Sequence, residues 1–211
     1  MTAFLYPVAL DVENKRCVIV GGGTVGLRKA HVLAAAHARV VIVDPYGSKA
    51  LEGPAWEWIS APFEPAHLDG AFLVIAATDR PAVNHAVCEA ARARNVLLNL
   101  AASTDGKVDG GDFATMASVS RGDLLFAVTT GGAGPALAAR LRDELNAAYG
   151  PEWGMFTDLL GQARHDAKET IADPLRRVRV LRELAQRDDL RELLARGEED
   201  EAKQRVAECL L

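Results

Sequence analysis

The sequence predicts an α/β fold in which helices cover a mostly parallel sheet, and three observations support this. Short apolar stretches rich in β-branched residues alternate with alanine-rich helical segments through the first half of the chain. The first of these stretches runs directly into a glycine turn and then into a helical segment. Beyond Gly150-Pro151 only helical patterning is found. The sheet is therefore expected in the first half and a helical module after it.

The elements follow from local patterning. Strands are predicted at Cys17–Val20, Val40–Val43, Phe72–Ala76, Val96–Leu98 and Leu124–Val128. Helices are predicted at Leu27–Ala36, Ala82–Arg92 and Ala136–Ala148, with Pro135 suited to the first turn of the last one. A strand is also expected to begin at Phe113. The charged stretch from Arg196 to Leu211 is typical of a solvated amphipathic helix.

The glycine turn predicts a dinucleotide site. Gly21, Gly23 and Gly26 have the G-x-G-x-x-G spacing of a Rossmann fold, in which a pyrophosphate lies on a helix N-terminus. An acid, Asp44, ends the next strand, where a ribose hydroxyl would be bound. The alternative is a strand-turn-helix corner without a ligand. The predicted cofactor-binding residues are Gly21, Gly23, Thr24, Val25, Gly26, Asp44, Pro45, Tyr46, Thr78 and Asp79.

Two of these residues have structural alternatives. Asp44 precedes a proline and would also start a turn, whereas Asp79 would also cap the helix that begins near Pro81. If Asp44 does bind the ribose, its negative charge repels a 2′-phosphate and favours NAD over NADP as the cofactor.

Composition limits the classes of function. The chain has 211 residues, a net charge of −5 and 49% hydrophobic residues, which gives a general nucleic-acid binder no support. Its three cysteines lie far apart, and no two histidines have metal-ligand spacing, so we expect a reducing cytoplasm and no metal ligands. No stretch approaches the ~20 apolar residues that span a membrane, and no membrane association is expected.

The elements together resemble the precorrin-2 dehydrogenases, which include the amino-terminal module of sirohaem synthases. The resemblance covers nearly the whole chain. Its motifs are the opening Tyr6-Pro7-Val8-Ala9-Leu10-Asp11, the Arg28-Lys29-Ala30 that follows the glycine turn, Ile75-Ala76-Ala77-Thr78-Asp79, Asn99, Arg121-Gly122-Asp123-Leu124 and Ala127-Val128-Thr129-Thr130-Gly131-Gly132.

The resemblance implies an architecture and a reaction. A Rossmann domain would occupy residues 1–112, a segment at 113–150 would build a homodimer, and a helical module at 151–211 would cover the active site. The implied reaction is the NAD-dependent oxidation of precorrin-2 to sirohydrochlorin, and some members also insert ferrous iron as a second substrate. The residues expected to bind the tetrapyrrole are Asn99, Thr130, Gly131, Gly132 and Arg140.

The chain departs from the family at the expected acid–base residue. Members carry Asn-Val-Val-Asp, whereas this chain has Asn99-Leu100-Ala101-Ala102. The loop that follows is longer than usual and contains Asp105, which we take as the catalytic candidate, with Asp109 and Asp112 as substitutes. The alternative for Asp105 is a solvated turn.

Further alternatives stay open. The arginines Arg176, Arg177, Arg179 and Arg182 would pair with substrate carboxylates or form an exposed helix face. His165 lies in the module expected to cover the site, although a surface role is favoured. A non-catalytic, redox-sensing NAD-binding module is the alternative to the dehydrogenase, because the family's aspartate is missing. An oligomeric scaffold without cofactor would leave the glycine turn unexplained.

Overall fold

The computed structural model describes residues 6–46, 56–101 and 111–211, and the chain forms two compact units. The first comprises Met1–Thr115 with Gly131–Ala133, and the second comprises Met116–Thr130 with Gly134–Leu211. Across the described ranges, none of the helices has the length and apolar character needed to cross a membrane.

The first unit is a parallel sheet, as predicted. Its strands are ordered β3-β2-β1-β4-β5, and every pairing is parallel. This order places the chain reversal between β1 and β4, where doubly wound sheets bind nucleotides. The strands are β1 Arg16–Val20, β2 Arg39–Val43, β3 Trp56–Ile59, β4 Leu73–Ala76 and β5 Leu97–Leu100.

Helices pack on this sheet and follow its strands. Helix α1 spans Thr24–Ala35 after β1, α2 spans Pro81–Arg94 after β4, and a short 3-10 turn spans Pro65–Leu68. The central strands are buried on both faces, which explains their continuous β-branched sequences. Two apolar clusters result, one on each side of the sheet.

Two strand assignments are corrected by the structure. β3 was not among the predicted strands. Its residues, Trp56-Glu57-Trp58-Ile59, alternate only in part between half-buried and exposed positions, so they lack the regular pattern that predicts a strand. No strand begins at Phe113; the next strand starts at Ala117. The chain at Asp112 instead lies along β5, where its backbone N–H donates to Leu98 O at 2.7 Å.

The second unit begins with a two-stranded antiparallel sheet and continues with five helices. β6 spans Ala117–Arg121 and β7 spans Leu124–Val128, and α3 at Pro135–Ala148 packs on both. The remaining helices are α4 Glu152–Thr170, α5 Pro174–Leu184, α6 Asp188–Ala195 and α7 Glu199–Leu210.

The last four helices share one apolar cluster. α4 contributes Phe156 and Leu159, and α6 contributes Leu190. α7 is charged on its outer side, as its sequence predicts, and it buries Ala202 and Val206 in the same cluster. The second unit therefore has an apolar core of its own.

A candidate dinucleotide site at the carboxyl edge of the sheet

The glycine turn lies where β1 ends, and its first and third glycines are required by close backbone packing. Gly21 has a φ of +108°, and a Cβ there would come within 2.6 Å of Ala77 O in the loop after β4. A Cβ at Gly26 would collide with the carbonyl oxygen of Gly21. The absence of a side chain at these two positions therefore lets β1, α1 and the loop after β4 pack closely at this edge.

Gly23 differs from these two glycines, because packing within the fold does not require it. A Cβ on this residue would meet no atom within 4 Å, so the fold itself leaves room for a side chain. The residue is exposed and is the N-cap of α1. Space beside a glycine that packing does not need is what the close approach of a pyrophosphate requires.

The N-terminus of α1 fits the same ligand. No side chain caps it, and its first turn, Thr24 to Gly26, contains no acidic residue. The first backbone N–H groups of a helix have no partner within the helix, and the helix dipole favours negative charge there. The residues predicted to hold the phosphates therefore form an arrangement that suits them.

Asp44 lies at this edge with both carboxylate oxygens engaged. Oδ2 accepts a hydrogen bond from Gly22 N at 2.6 Å, and Oδ1 accepts one from Tyr46 N at 2.7 Å. Asp44 thus ties the glycine turn to the end of β2, and the turn after Asp44 is the one its Asp-Pro sequence predicts. Each oxygen keeps a further lone pair, so this tie leaves room for a ribose hydroxyl.

The loop after β4 completes the edge. Thr78 Oγ1 donates to the buried Asn84 Oδ1 at 2.7 Å, and Asn84 Nδ2 donates to Thr78 O at 2.9 Å. The same hydroxyl accepts from Arg80 N at 3.1 Å. Asp79 is exposed and does not cap α2, because Arg80 occupies the N-cap position and no side chain bonds there. The capping alternative for Asp79 is therefore wrong.

Within the part of the chain that the structure describes, the side chain of Asn99 in β5 forms a hydrogen bond through its nitrogen but not through its oxygen. Its Nδ2 donates to Phe113 O at 2.8 Å, and its side chain is 6% exposed. Its Oδ1 is buried and has no partner among the described residues. Asp112 Oδ2 accepts from Leu98 N at 2.9 Å, which gives this carboxylate a structural role. Asp105 and Asp109, like Ala102, lie outside the described residues.

The other residues expected to bind substrate lie farther along the chain. Thr130 Oγ1 accepts from Gly134 N at 3.1 Å, which closes the turn that contains Gly131 and Gly132, both with positive φ. Arg140 forms an exposed ion pair with Glu144 at 3.1 Å. Gly131 and Gly132 belong to the first unit with Asn99, whereas Thr130 and Arg140 belong to the second unit.

Electrostatics at the sheet reflect burial. Burial lowers the pKa of Lys29, helped by the nearby charge of Arg28, and Lys29 donates to Thr115 Oγ1. Burial also raises the pKa of the Cys17 thiol in β1 to about 11. His165 is exposed and lies 3.7 Å from Glu169, as expected for a surface histidine. Within the described ranges, no group of acidic, histidine or cysteine side chains is arranged to hold a metal ion.

Three residues at this edge are not among the predicted site residues. Trp58 of β3 lies under the glycine turn, because a Cβ at Gly22 would meet its ring. Asn84 and Arg80 belong to the β4 loop and its helix. An asparagine in the first turn of an alanine-rich helix was an available signal for Asn84, whereas Trp58 depends on a strand pairing that local sequence does not encode.

Comparisons with known proteins agree with this geometry. A family model described as "Putative NAD(P)-binding" matches residues 8–114, and a second one, "Sirohaem biosynthesis protein central", matches residues 121–148. Siroheme synthase 1 of Aeromonas salmonicida is 35% identical over 202 residues, which cover 94% of this chain and 42% of that protein. The siroheme synthase of Photobacterium profundum is 33% identical over 204 residues, with 95% and 42% covered.

Among solved structures, the one titled "SirC, precorrin-2 dehydrogenase" superposes with a TM-score of 0.74 at 24% identity, covering 97% of this chain and all of that one. The two proteins therefore share a fold. This chain spans about two-fifths of the length of the curated relatives named above. The predicted resemblance to sirohaem synthases is confirmed, and the chain belongs to the NAD(P)-binding family whose model covers its first half.

Proposed function

We propose that this chain oxidises precorrin-2 to sirohydrochlorin with NAD as the hydride acceptor. The observation that carries the proposal is the open space beside Gly23 at an uncapped helix N-terminus, in a chain similar over 94% of its length to a siroheme synthase. A family match alone would not show whether the residues of the cofactor site have a geometry that fits a dinucleotide. Here the residues that would hold the pyrophosphate have the geometry that the ligand needs.

The chain's own residues position the cofactor. The N–H groups at the start of α1 bind the pyrophosphate, and Asp44 binds the adenosine ribose, which favours NAD over NADP. The bound nicotinamide supplies a hydride acceptor. The protein's remaining tasks are to hold the macrocycle against it and to remove one proton.

Asp105 is our candidate for the group that accepts this proton, because it follows β5 closely in the sequence and β5 ends at the edge of the proposed cofactor site. Insertion of ferrous iron is more demanding, since two pyrrole protons must leave the macrocycle and the family's aspartate is missing at position 102. We therefore propose a competent dehydrogenase with weak or absent ferrochelatase activity. Iron insertion by the wild type that survives Asp105→Ala would contradict this. Loss of iron insertion in Asp105→Ala would show that the loop has moved the family's carboxylate.

We also propose that residues 113–150 build a homodimer, between a Rossmann domain at 1–112 and a helical module at 151–211 that shares the second compact unit with most of residues 113–150. Leu125 on β7 is 55% exposed and Leu137 on α3 is 45% exposed. A two-stranded sheet is marginal by itself, and exposed apolar groups on it favour a covering partner. We expect a second copy of the chain to cover Leu125 and Leu137.

The cellular setting proposed is the cytoplasm. All three cysteines, Cys17, Cys88 and Cys209, are free thiols, and burial raises the pKa of the first two. Free, widely spaced thiols are typical of proteins in a reducing compartment.

The experiment that tests the function is turnover in the absence of oxygen. Precorrin-2 and NAD are added to the protein, and NADH formation is followed. The dehydrogenase predicts NADH only when protein, NAD and precorrin-2 are all present. Normal NAD binding without NADH formation would instead favour the redox-sensing module, whose support is the missing aspartate at position 102.

A further inference from the structure

Two exposed side chains reach each other across the carboxyl edge of the sheet. Arg80 Nη2 donates to the Tyr46 hydroxyl at 3.2 Å, and the guanidinium lies 5.5 Å from the centre of the Tyr46 ring. Tyr46 is 73% exposed, and Arg80 is also exposed. Folding does not require this contact, since exposed pairs of this kind contribute little to stability.

The position of the pair is specific. Tyr46 follows β2 and Arg80 follows β4, and β1 lies between these two strands. Neighbouring strands are about 4.8 Å apart, so the pair extends over a width of about 10 Å, across the end of β1. The glycine turn leaves β1 at this same end. The pair therefore lies beside the proposed pyrophosphate site, and Asp44, the acid proposed to bind the ribose, precedes Tyr46 by two residues.

The backbone beneath each side chain is fixed. Asp44 accepts from the N–H of Tyr46, and the same carboxylate holds Gly22 of the turn. Thr78 accepts from the N–H of Arg80 and is itself held by the buried Asn84. Two planar groups are thus exposed to solvent on anchored loops, which is how a preorganised stacking surface is built.

We propose that Tyr46 and Arg80 form the surface on which the adenine base of the dinucleotide packs. The inference rests on the proposed function, which requires a bound dinucleotide. It adds that the adenine base contacts Tyr46 and Arg80. A purine has a larger face than a pyrimidine, and stacking on aromatic and guanidinium planes depends on that face. The site should therefore prefer adenine nucleotides to pyrimidine nucleotides that have the same phosphates.

The test compares ADP with UDP by calorimetry on the whole protein. The two nucleotides share ribose and pyrophosphate and differ in the base, so the ratio of their affinities reports on the base alone. We expect the wild type to prefer ADP by about ten-fold. Tyr46→Ala and Arg80→Ala should each bring the ratio close to one, whereas Tyr46→Phe, which keeps the ring, should retain most of it. Arg92→Ala removes an exposed arginine from the other end of α2 and should change nothing.

An unchanged ADP-to-UDP ratio in both alanine variants would overturn the inference, as would equal losses of ADP and UDP affinity, which would indicate a disturbed phosphate site. A wild type that binds neither nucleotide would overturn the dinucleotide site together with the inference. If the ratio collapses as expected while precorrin-2 is not oxidised, the adenine surface stands and the proposed reaction fails.

Discussion

Gly23 and Gly26 belong to the same motif, yet the structure gives them opposite physical roles. Gly23→Ala places a methyl group in open space, so its effect on the free energy of unfolding should stay within about 1 kcal/mol, the cost of a poorer N-cap. Its NAD affinity should fall at least about ten-fold, because the methyl group occupies the space proposed for the pyrophosphate. Thermal unfolding and calorimetric titration measure the two effects.

Gly26→Ala is the matched variant. Its methyl group meets the carbonyl of Gly21 inside the fold, so it should lower stability by about 2 kcal/mol or more. If Gly23→Ala bound NAD as the wild type does, the open space would not be the pyrophosphate site.

Asp44 has a structural and an electrostatic role, and one measurement separates them. Asp44→Asn weakens the tie to Gly22 and Tyr46, which should reduce the affinities for NAD and NADP together. Loss of the negative charge acts on the 2′-phosphate alone, and we expect the NAD-to-NADP affinity ratio to fall by about ten-fold. Asp69→Asn, which removes an exposed acid before β4, is the control. An unchanged ratio in Asp44→Asn would exclude the ribose role.

Local sequence predicts the residues proposed for the phosphates, but only one of the two residues proposed for the base. The turn of Gly21 to Gly26 is a contiguous pattern, and its geometry agrees with its spacing. Tyr46 was predicted from its position after Asp44, whereas Arg80 was not predicted at all. The contact joins two loops whose residues are 34 positions apart in the sequence. The loops come close because their strands, β2 and β4, both pair with β1.

At the scale of elements, α6 begins with a charge cluster that predicts how stability responds to pH. Asp189 accepts from Arg187 at 2.6 Å and from Arg205 of α7 at 3.3 Å. The hydrogen bonds from Arg187, with its charge, hold the pKa of Asp189 well below its usual range. A carboxyl group with a lowered folded-state pKa stabilises the fold above its unfolded pKa of about 3.9, and that contribution is lost as pH falls through the folded value.

Asp189→Asn should therefore lower the free energy of unfolding near neutral pH by up to about 1 kcal/mol, a value reduced for solvent exposure. The difference from the wild type should shrink below pH of about 4. Denaturant unfolding over a pH series measures it, with Asp200→Asn on α7 as a control. A difference independent of pH would show that the cluster acts through packing.

Elements whose signals are local were predicted well, and those defined by pairing were not. The pattern of β1, α1 and β4 is read from a few adjacent residues, and all three formed as expected. β3 is an edge strand of four residues that contains Glu57, so it lacks the continuous β-branched sequence of the central strands. Asp112 precedes no strand, because its carboxylate and N–H bond to Leu98 of β5, a long-range contact that composition does not indicate.

At the scale of the whole molecule, the proposed homodimer is tested by its apolar surface. Leu125→Asp and Leu137→Asp place a charge in the expected interface and should each weaken the dimer at least about ten-fold. Leu175→Asp is the matched control, because Leu175 on α5 is 80% exposed and lies outside residues 113–150. Sedimentation at several protein concentrations measures the effect. A wild type that remains a monomer at tens of micromolar (about 10–50 µM) would contradict the proposal.

The coupling of precorrin-2 oxidation to NAD reduction is measured in a single turnover. The protein with bound NAD is mixed with less than one equivalent of precorrin-2 in the absence of oxygen, and NADH and sirohydrochlorin are measured together. We expect equal amounts of both products in the wild type and much less of both in Gly23→Ala, at a fixed reaction time and an NAD concentration below the dissociation constant of the variant. Sirohydrochlorin without matching NADH, or NAD bound normally with neither product formed, would contradict this coupling.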